Sequence, residues 1–522
     1  MFLTNFEEEF YKTIKLKRLL IILTNNVDSI CAFNILEYLL KWDNITYTMH
    51  QVQDVVDMKD TFMKHEQQTE ILLLINCGIT MDIVEYLNPK ENVEIFICDS
   101  NAPFDLNNVY NQVQVKIIGD ANDAKSIPPY DLVYCDDSEH EEFLHEKKEM
   151  IQKREQVLFE YFQYTYHTRP SAIIMYEMAW KLSNDSVQML WLSIIGLTYN
   201  YLIDNISKEA YINEQKNIND HVTRYQHQYC ENQSIDSLKI TLEEDLKLYL
   251  YKQWNLYDSI NNSPCSCNAF QCFSRQGKMK ICEFFADAGI PLKITLQNFF
   301  AVPIKYKNNI INRIKNNLPR FQIAYDDMLM YTYNAKYGYG EAISAMDIAI
   351  MCTILVEFQN VNLASNEDYK ISNLLLGYKM ESKILHKCAN KSIEFIKIIG
   401  QQAHSSIDLQ QITSMGPFLY CSINEGSLAK SFVLQSGALL YLSRYIQLNY
   451  IRTKMKKYGK YPFVLSVNDA DHILIAGLPP LSSSNMRNNL FAKAFEQAAI
   501  NSEVAIDCTF FNKNGILKFE QN

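Results

Sequence analysis

The sequence predicts an α/β fold with a parallel sheet, a helical middle section and a second, smaller α/β part. In the first 118 residues, strand-like apolar runs alternate with helical patterns, which favours parallel strands joined by crossover helices. The run at 95–98 is apolar throughout, as expected for a strand covered on both faces. Beyond residue 207 helical patterns follow one another, and strand patterns return only after residue 417. The 522 residues are enough for about three domains.

The first part contains the predicted parallel strands. They cover residues 19–24, 45–50, 71–76, 93–99 and 113–118. Helices are predicted between these strands at residues 29–40 and 81–87, and a third predicted helix ends near residue 68. No G-x-G-x-x-G or Walker A loop follows any of these strands, so a dinucleotide or P-loop nucleotide site is not expected.

A loop and three helices complete the first part. Residues 120–142 contain Pro128-Pro129 and end in the acidic run 136–142, which we interpret as a solvated surface loop. Helices are predicted at 146–162, 171–182 and 187–203. The last two are strongly apolar, which is typical of buried helices packed on a sheet.

The middle section is predicted to be an all-helical insert. Its helices cover residues 242–260, 277–288, 295–300, 305–320 and 344–358. The connector 331–339 holds Tyr331, Tyr333, Tyr337 and Tyr339. Exposed tyrosines on a loop are typical of protein contacts, so these four are candidate partner-binding residues, with local packing as the alternative.

The last part returns to an α/β pattern. A long helix at 380–404 leads to strands at 418–423, 461–467, 473–476 and 505–511, with helices at 438–449 and 485–499. We therefore expect three domains, at residues 1–204, 205–366 and 367–522.

The charge balance excludes attraction of nucleic acid by the protein as a whole. The 60 acidic and 49 basic residues give a formal net charge of -11, so nucleic-acid binding would need a local basic patch. No apolar run of about 18 residues is present, and the amino-terminal residues are acidic, so neither a membrane span nor a signal peptide is expected. We expect a soluble, intracellular protein.

Polar residues follow three of the predicted strands, where ligands of parallel sheets collect. Asn26 and Asp28 follow the first strand, Asn76 ends the third, and Asp99 ends the fourth. Two-metal hydrolysis of a phosphodiester needs several carboxylates and histidines to offset the charge of the cations. Two carboxylates without a nearby histidine do not predict an intact metal site, and no cofactor is expected.

A group of cysteines offers a second candidate metal site. Cys265, Cys267, Cys272 and Cys282 could supply four thiolates to zinc. The paired C-x-x-C spacing of zinc knuckles is missing, so free thiols are the favoured interpretation.

A basic and aromatic stretch is the candidate nucleic-acid interface. Between residues 444 and 461 no acid occurs, and tyrosines at 445, 450, 458 and 461 alternate with cations. Cations that meet phosphates, beside rings that stack on bases, suit single strands; a solvated surface is the alternative. The cations are Arg444, Arg452, Lys454, Lys456, Lys457 and Lys460.

Several segments carry a family resemblance. Residues 20–34, 71–78 and 94–103 resemble the cell division control protein 45 family, the eukaryotic relatives of RecJ and the DHH phosphoesterases. The strings at 175–180, 284–292, 416–422 and 491–496 also look like that family's segments, in the same order. The resemblance covers nearly the whole chain.

The resemblance implies a DHH-type parallel-sheet domain, a helical insert that meets partners, and a DHH-associated carboxyl-terminal domain. The positions that correspond to the metal ligands of active DHH enzymes are Asn26, Asp28, Asn76, Asp99, Ser100, Asn101 and Tyr199. Only two of them are acids, which implies a pseudo-enzyme without catalytic residues.

The implied role is that of a DNA replication factor in the nucleus. The resemblance implies a non-catalytic subunit of the replicative helicase, bound to the MCM hexamer and the GINS complex, with single-stranded DNA as a further ligand. The alternative is a divergent metal-dependent single-strand nuclease or phosphoesterase of the DHH superfamily.

Overall fold

The computed structural model describes most of the chain, and all structural statements refer to this part. It covers residues 2–3, 5–15, 17–119, 127–134, 144–231, 238–338, 342–358, 382–423, 435–453, 455–468, 472–481, 489–502, 506–507, 511 and 516–520. The chain divides into two units. The first comprises Met1–Asp185, Asn205–Ser207 and Arg487–Phe519, and the second comprises Ser186–Asp204, Lys208–Met486 and Glu520–Asn522.

A parallel sheet forms the centre of the first unit, as predicted. Its strand order is β2-β1-β3-β4-β6, and every neighbouring pair is parallel. Every residue of β1 and β3 is buried, which explains their uninterrupted apolar sequences. The strands of this unit are β1 (Leu19–Thr24), β2 (Tyr47–Val52), β3 (Ile71–Ile75), β4 (Glu94–Cys98), β5 (Asn101–Ala102), β6 (Val115–Ile117) and β7 (Tyr166–His167).

Helices follow the strands of the sheet along the chain. The short pair β5 and β7 is antiparallel and lies outside the main sheet. The helices are α1 (Lys12–Ile14), α2 (Val27–Trp42), α3 (Val55–His65), α4 (Ile83–Leu87), α5 (Leu106–Tyr110), α6 (Tyr130–Val133), α7 (Leu144–Phe162) and α8 (Ser171–Lys181). Most of the predicted acidic loop, including the run 136–142, lies outside the described residues.

The register of the sheet aligns the carboxyl ends of three strands. Leu23 of β1 pairs with Ile75 of β3, and Ile75 pairs with Cys98 of β4. The residues that follow these strands therefore share one edge of the sheet, as the sequence predicted.

The second unit begins with two helices and an antiparallel sheet. Helices α9 (Val187–Leu202) and α10 (Lys208–Glu231) precede three strands in the order β10-β9-β8. The strands are β8 (Leu238–Leu246), β9 (Leu329–Tyr337) and β10 (Ile343–Ser344).

This sheet shows that the prediction of an all-helical insert is wrong. Residues 242–246, predicted as helix, belong to β8, and the next helix starts only at Leu256. Burial alternates from Leu238 to Thr241, which is the strand period. The partner strand β9 lies more than 80 residues further along the chain, so no local pattern indicated the pairing.

Short helices separate β8 from β9, and a buried helix follows β10. They are α11 (Leu256–Asn262), α12 (Pro264–Phe270), α13 (Arg275–Asp287), α14 (Leu292–Thr295), α15 (Ile304–Lys307), α16 (Ile310–Asn317), α17 (Tyr325–Met328) and α18 (Ala345–Val356).

The remainder of the second unit is a further α/β layer. Strands β11 to β14 are neighbours in sequence order; β12 and β13 are parallel, and the other two pairs are antiparallel. The elements are α19 (Ser382–Asp408), β11 (Ile412–Ser414), β12 (Leu419–Ile423), α20 (Ser436–Thr453), α21 (Met455–Tyr458), β13 (Phe463–Asn468) and β14 (His472–Leu478).

The last elements are one helix and a strand pair. They are α22 (Phe491–Ser502), β15 (Ile506–Asp507) and β16 (Ile516–Glu520), and β15 and β16 are antiparallel. The mixed α/β class with a parallel sheet is confirmed, and the division at residues 204 and 366 stays a prediction. In the described parts of the chain, no helix is long and apolar enough to cross a membrane.

Candidate functional site

Six polar residues at the ends of β1, β3 and β4 form what we call the strand-end site. Local backbone structure explains why asparagine occurs at two of these positions. Asn26 caps α2, because its side chain accepts a hydrogen bond from the Ser29 N–H at 2.7 Å. Asn76 has a left-handed backbone (φ 53°), a conformation that asparagine tolerates. The members are Asn26, Asp28, Asn76, Asp99, Ser100 and Asn101.

Helix α8 reaches this site through the short pair β5 and β7. The chain leaves β4 at Asp99 and enters β5, whose Asn101 pairs with His167 of β7. The Thr168 N–H then donates to the Ser100 oxygen at 2.8 Å. Three residues later α8 begins at Ser171, so its first turn lies at the strand ends.

The Asp28 carboxylate binds the amino terminus of α8. Its Oδ2 accepts the Ser171 N–H at 2.9 Å, and its Oδ1 accepts the Ala172 N–H at 3.1 Å. Helix α8 follows Pro170, which provides no side-chain cap, so these N–H groups need an external acceptor. A carboxylate at this end also interacts favourably with the helix dipole. Asp28 is 1% exposed and caps α8 in place of the residue that precedes the helix.

The Asn76 amide connects all three strand ends. Its Nδ2 donates to Asp28 Oδ2 at 3.0 Å and to Asn26 Oδ1 at 3.4 Å. Its Oδ1 accepts from the Ser171 hydroxyl at 2.6 Å and from the Ser100 N–H at 3.1 Å. A carboxylate could not supply the donor half of this network.

Asp99 accepts hydrogen bonds from its own turn and from the segment that follows β3. Its Oδ1 accepts from the Asn101 N–H at 2.9 Å and from Asn101 Nδ2 at 2.8 Å, and its Oδ2 accepts from the Ile79 N–H at 3.4 Å. Burial raises the pKa of Asp99 to about 7, against the effect of these hydrogen bonds, and the charge of Asp28 raises it further.

The structure thus brings together six of the seven positions named from the resemblance. The seventh, Tyr199, lies buried on α9 of the second unit. In the part of the chain that the structure describes, no group of three or more His, Cys, Asp or Glu side chains could hold a metal ion.

Ser171 is a member of this network that the sequence did not single out. Its N–H and hydroxyl contact Asp28 and Asn76 across 143 and 95 residues of chain. A usable signal exists, because Pro170 directly before an apolar helical run marks a helix start. That signal does not reveal which acceptor the first turn meets.

The predicted nucleic-acid stretch forms the end of α20, the short α21 and the turn after it. Arg444 donates to Asp204 Oδ2 at 2.8 Å and to Gln447 Oε1 at 3.1 Å, so its charge is already paired within the protein. Lys457 and Lys460 are exposed. Lys454 and the side chains of Arg452 and Lys456 lie outside the description.

The tyrosines of this stretch separate into two groups. Tyr450, Tyr458 and Tyr461 form a ring cluster, with centroids 6.0 Å and 5.8 Å apart, and Lys457 Nζ lies 4.8 Å from the Tyr458 ring centre. Tyr445 is 1% exposed inside the helix packing, so the expectation that it stacks on bases is wrong.

The four predicted partner-binding tyrosines do not lie on a loop. Residues 329–337 form β9, the central strand of its sheet, so the loop assignment is wrong. Tyr331 is 53% exposed, whereas Tyr333 is fully buried and its hydroxyl donates to the Gln215 oxygen at 2.9 Å. Tyr337 is half-buried, and Tyr339 lies outside the described residues.

The cysteine group is not assembled as one cluster. Cys265, Cys267, Cys272 and Cys282 are free thiols. Cys267 instead meets a histidine, with Sγ 3.2 Å from Nε2 of His404. The sequence offered no signal for this contact, because the two residues are 137 positions apart.

Comparisons with known proteins agree with the resemblance. A family model described as CDC45 matches residues 19–148 and 135–517. The human protein named cell division control protein 45 homolog is 30% identical over 536 residues, which cover 96% of this chain and 94% of the human protein.

The crystal structure of a CDC45 protein has the same fold. The crystal structure of CDC45 from Entamoeba histolytica has a TM-score of 0.72 at 20% identity and covers 99% of this chain and 96% of that chain. The crystal structure of exonuclease RecJ bound to manganese has a TM-score of 0.42 at 9% identity, and the match covers 97% of this chain and 86% of that chain. The TM-score of 0.42 for RecJ is too low to support a conclusion about this chain.

Proposed function

Because the chain belongs to the CDC45 family, we propose that it is a DNA replication factor, a non-catalytic subunit of the replicative helicase that joins the MCM hexamer and the GINS complex in the nucleus. Family membership supports the replication role. The strand-end site supports the absence of catalysis.

The observation that carries the non-catalytic part is the hydrogen bonding of Asp28. Both of its oxygens accept backbone N–H groups of α8, and Oδ2 also accepts the Asn76 amide. A carboxylate used in this way holds a helix in place. Its buried position makes the network costly to open, because each acceptor or donor left unpaired costs about 1–3 kcal/mol.

The strand-end residues do not fit a pair of divalent cations. Such cations need oxygen or imidazole lone pairs directed at them. Asn76 presents an N–H toward Asp28 at 3.0 Å, and an N–H group cannot ligate a cation. Asp28 and Asp99 are the only carboxylates of this site, so we assign no metal-dependent step to it.

Partner contact and DNA contact belong to the second unit in this proposal. Tyr331 supports the first, since a tyrosine 53% exposed at the centre of a sheet is available to a partner. Lys457 and Lys460, beside the ring cluster of Tyr450, Tyr458 and Tyr461, support contact with single-stranded DNA.

The test is reconstitution with purified MCM hexamer and GINS. We expect one assembly on size-exclusion chromatography, and weaker association for Tyr331→Ala than for Met279→Ala, an exposed control in the same unit. No association of the unaltered chain with either partner would overturn the proposal.

A nuclease assay tests the non-catalytic part separately. With 5′-phosphorylated single-stranded DNA and Mn²⁺ we expect no cleavage, and no thermal stabilisation of the chain by Mn²⁺. Cleavage that disappears in both Asp28→Ala and Asp99→Ala would instead support the divergent nuclease.

A further inference from the structure

A buried group of sulfur, imidazole and phenol side chains lies where three helices of the second unit meet. Cys267 is on α12, Cys272 follows that helix, His404 is on α19 and Tyr445 is on α20. Cys267 Sγ is 3.2 Å from His404 Nε2, and the Cys272 thiol donates a hydrogen bond to Cys267. We call these four residues the Cys267 cluster.

The two cysteines are brought together by the end of α12. Gln271 has a left-handed backbone (φ 57°) that reverses the chain. The Cys272 N–H then donates to the Cys267 oxygen at 3.0 Å. Gly277 of α13 supports this turn, because a Cβ there would lie 2.0 Å from the Gln271 oxygen.

The imidazole is brought in by a close helix contact. One turn before His404, Gly400 of α19 lies against Asn262 at the end of α11, and a Cβ at residue 400 would lie 2.6 Å from Asn262 Oδ1. His404 is half-buried, whereas both cysteines are fully buried. His404 is therefore the member of the cluster with the most solvent-exposed surface, and we infer that a small solute approaches Cys267 from its side.

The surroundings favour a thiolate at Cys267 and a thiol at Cys272. The hydrogen bond from Cys272 lowers the pKa of Cys267; burial opposes this, and His404 and Tyr445 lower it further. Burial raises the pKa of Cys272, as do its hydrogen bond to Cys267 and the charge of Cys267, while Lys278 lowers it. Burial and Cys267 raise the pKa of Tyr445, to which Tyr441 and Cys272 also contribute.

A second pair of buried cysteines provides the contrast. Cys352 on α18 and Cys388 on α19 are each 1% exposed. Burial, followed by the charge of Cys388, raises the pKa of Cys352. Buried thiols of this kind are inert, whereas a thiol beside an imidazole is the usual setting of a reactive cysteine.

We propose that Cys267 and Cys272 are a redox-active pair, in which a hydroperoxide oxidises Cys267 and Cys272 then closes a disulfide. The proposal stands on the contacts between Cys267, Cys272 and His404 and does not depend on the proposed function.

The chemistry balances with hydrogen peroxide as the oxidant. The Cys267 thiolate attacks one peroxide oxygen, so an S–O bond forms, the O–O bond breaks, and the departing hydroxide takes a proton from His404 to become water. The Cys272 sulfur then attacks the sulfenic acid. An S–S bond forms, the S–O bond breaks, and hydroxide leaves as water with the Cys272 proton. Two thiols and one peroxide give one disulfide and two waters.

The test is peroxide titration of the full chain, with differential alkylation and peptide mass spectrometry. Trypsin releases Cys265, Cys267 and Cys272 in one peptide, residues 253–275, so a Cys265→Ser background leaves only the pair in question. We expect this peptide to lose two hydrogens at peroxide concentrations that leave Cys352 and Cys388 open to alkylation. Oxidation of Cys267 no faster than that of Cys352 would overturn the proposal, and this comparison needs no altered residue in the cluster.

The pH profile tests the role of His404. With His404 present, we expect the oxidation rate to change little between pH 7.5 and 6.5. In His404→Gln the pKa of Cys267 should rise, because the contribution of the imidazole is lost while the hydrogen bond from Cys272 remains. The oxidation rate of this variant should therefore fall more steeply between pH 7.5 and 6.5 than that of the unaltered protein. Parallel profiles would contradict the histidine's role. Accumulation of Cys267 sulfinic acid without a disulfide would contradict the proposed role of Cys272 as the second thiol of the disulfide.

Discussion

Asn76 and Asp28 explain why the strand ends carry this mixture of amides and acids. Asp28 accepts N–H groups from the first turn of α8, and Asn76 donates to the same carboxylate. An acid at residue 76 would place a second carboxylate against Asp28 and leave the Ser171 hydroxyl as its nearest donor. The sequence named both residues and their shared edge correctly. The helix that they hold became visible only in the structure.

Asp99 gives the residue-scale prediction. Its folded-state pKa is about 7, raised from 3.8 chiefly by burial, so the folded protein binds more protons than the unfolded chain between about pH 4 and pH 7. Stability therefore falls as pH rises through this window. Asp99→Asn removes the titration. We expect its free energy of unfolding, relative to the unaltered protein, to increase by up to about 4 kcal/mol between pH 4 and pH 8.

Denaturant unfolding at a series of pH values checks this. Asp60→Asn, which changes an exposed acid on α3 of the same unit, is the matched control and should leave the pH profile unchanged. If Asp99→Asn and the unaltered protein lose stability in parallel between pH 4 and pH 8, the titration of Asp99 is not the cause.

At the scale of elements, β8 and β9 show where local patterns mislead. The tyrosine-rich segment at 331–337 looks like a connector beside Gly338 and Gly340, yet it is the middle strand of a sheet. Its register pairs Glu244 with Tyr331 and Leu242 with Tyr333. Both tyrosines lie on the same face, because they are two residues apart on one strand. Tyr331 is nevertheless 53% exposed, whereas Tyr333 is buried and donates a hydrogen bond to Gln215 of α10. The sequence supplied the tyrosines, and the contact of Tyr333 with α10 shows which of the two is covered.

The two tyrosines make the element-scale prediction. Tyr333→Ala should destabilise the protein by about 3–5 kcal/mol, because it opens a cavity and removes the hydroxyl that donates to Gln215. Tyr333→Phe should cost about 1 kcal/mol, the hydrogen bond alone. Tyr331→Ala should change stability by at most about 0.5 kcal/mol, since that side chain is largely in solvent. Urea unfolding of the three variants measures the differences, and equal effects at the two positions would contradict the observed burial.

At the scale of the whole molecule, charge restricts the proposed contact with DNA. A formal net charge of -11 opposes contact with a polyanion, so local cations must supply the attraction. Arg444 is paired with Asp204, which leaves Lys457 and Lys460 as the exposed cations of the described stretch. The sequence located the basic window. In the structure Arg444 is paired with Asp204 and Tyr445 is buried, so neither belongs to the proposed contact surface.

Salt dependence gives the whole-molecule prediction. The logarithm of the affinity for single strands should fall with the logarithm of salt concentration by about 0.7 per phosphate neutralised. Replacing Lys457 and Lys460 together with Ala should therefore lower the slope by up to about 1.4 and weaken binding. Fluorescence anisotropy with a labelled oligonucleotide measures this. Lys293 and Lys305, exposed lysines elsewhere in the second unit, are the matched control pair. An unchanged slope and affinity would remove this surface from the DNA-binding model.

The sequence by itself determined the parallel sheet, the edge at which its polar residues gather, the overall charge and the family. These properties depend on periodicity, composition and short sequence strings, all of which can be read from residues that are close together along the chain. Only the tertiary structure decided that α8 is capped by Asp28, that β8 pairs with β9, and that Cys267 meets His404. Asp28 and Ser171 are 143 residues apart, and Cys267 and His404 are 137 apart. Such contacts follow from how whole elements pack, because no local pattern specifies which distant group an exposed N–H or thiol will meet.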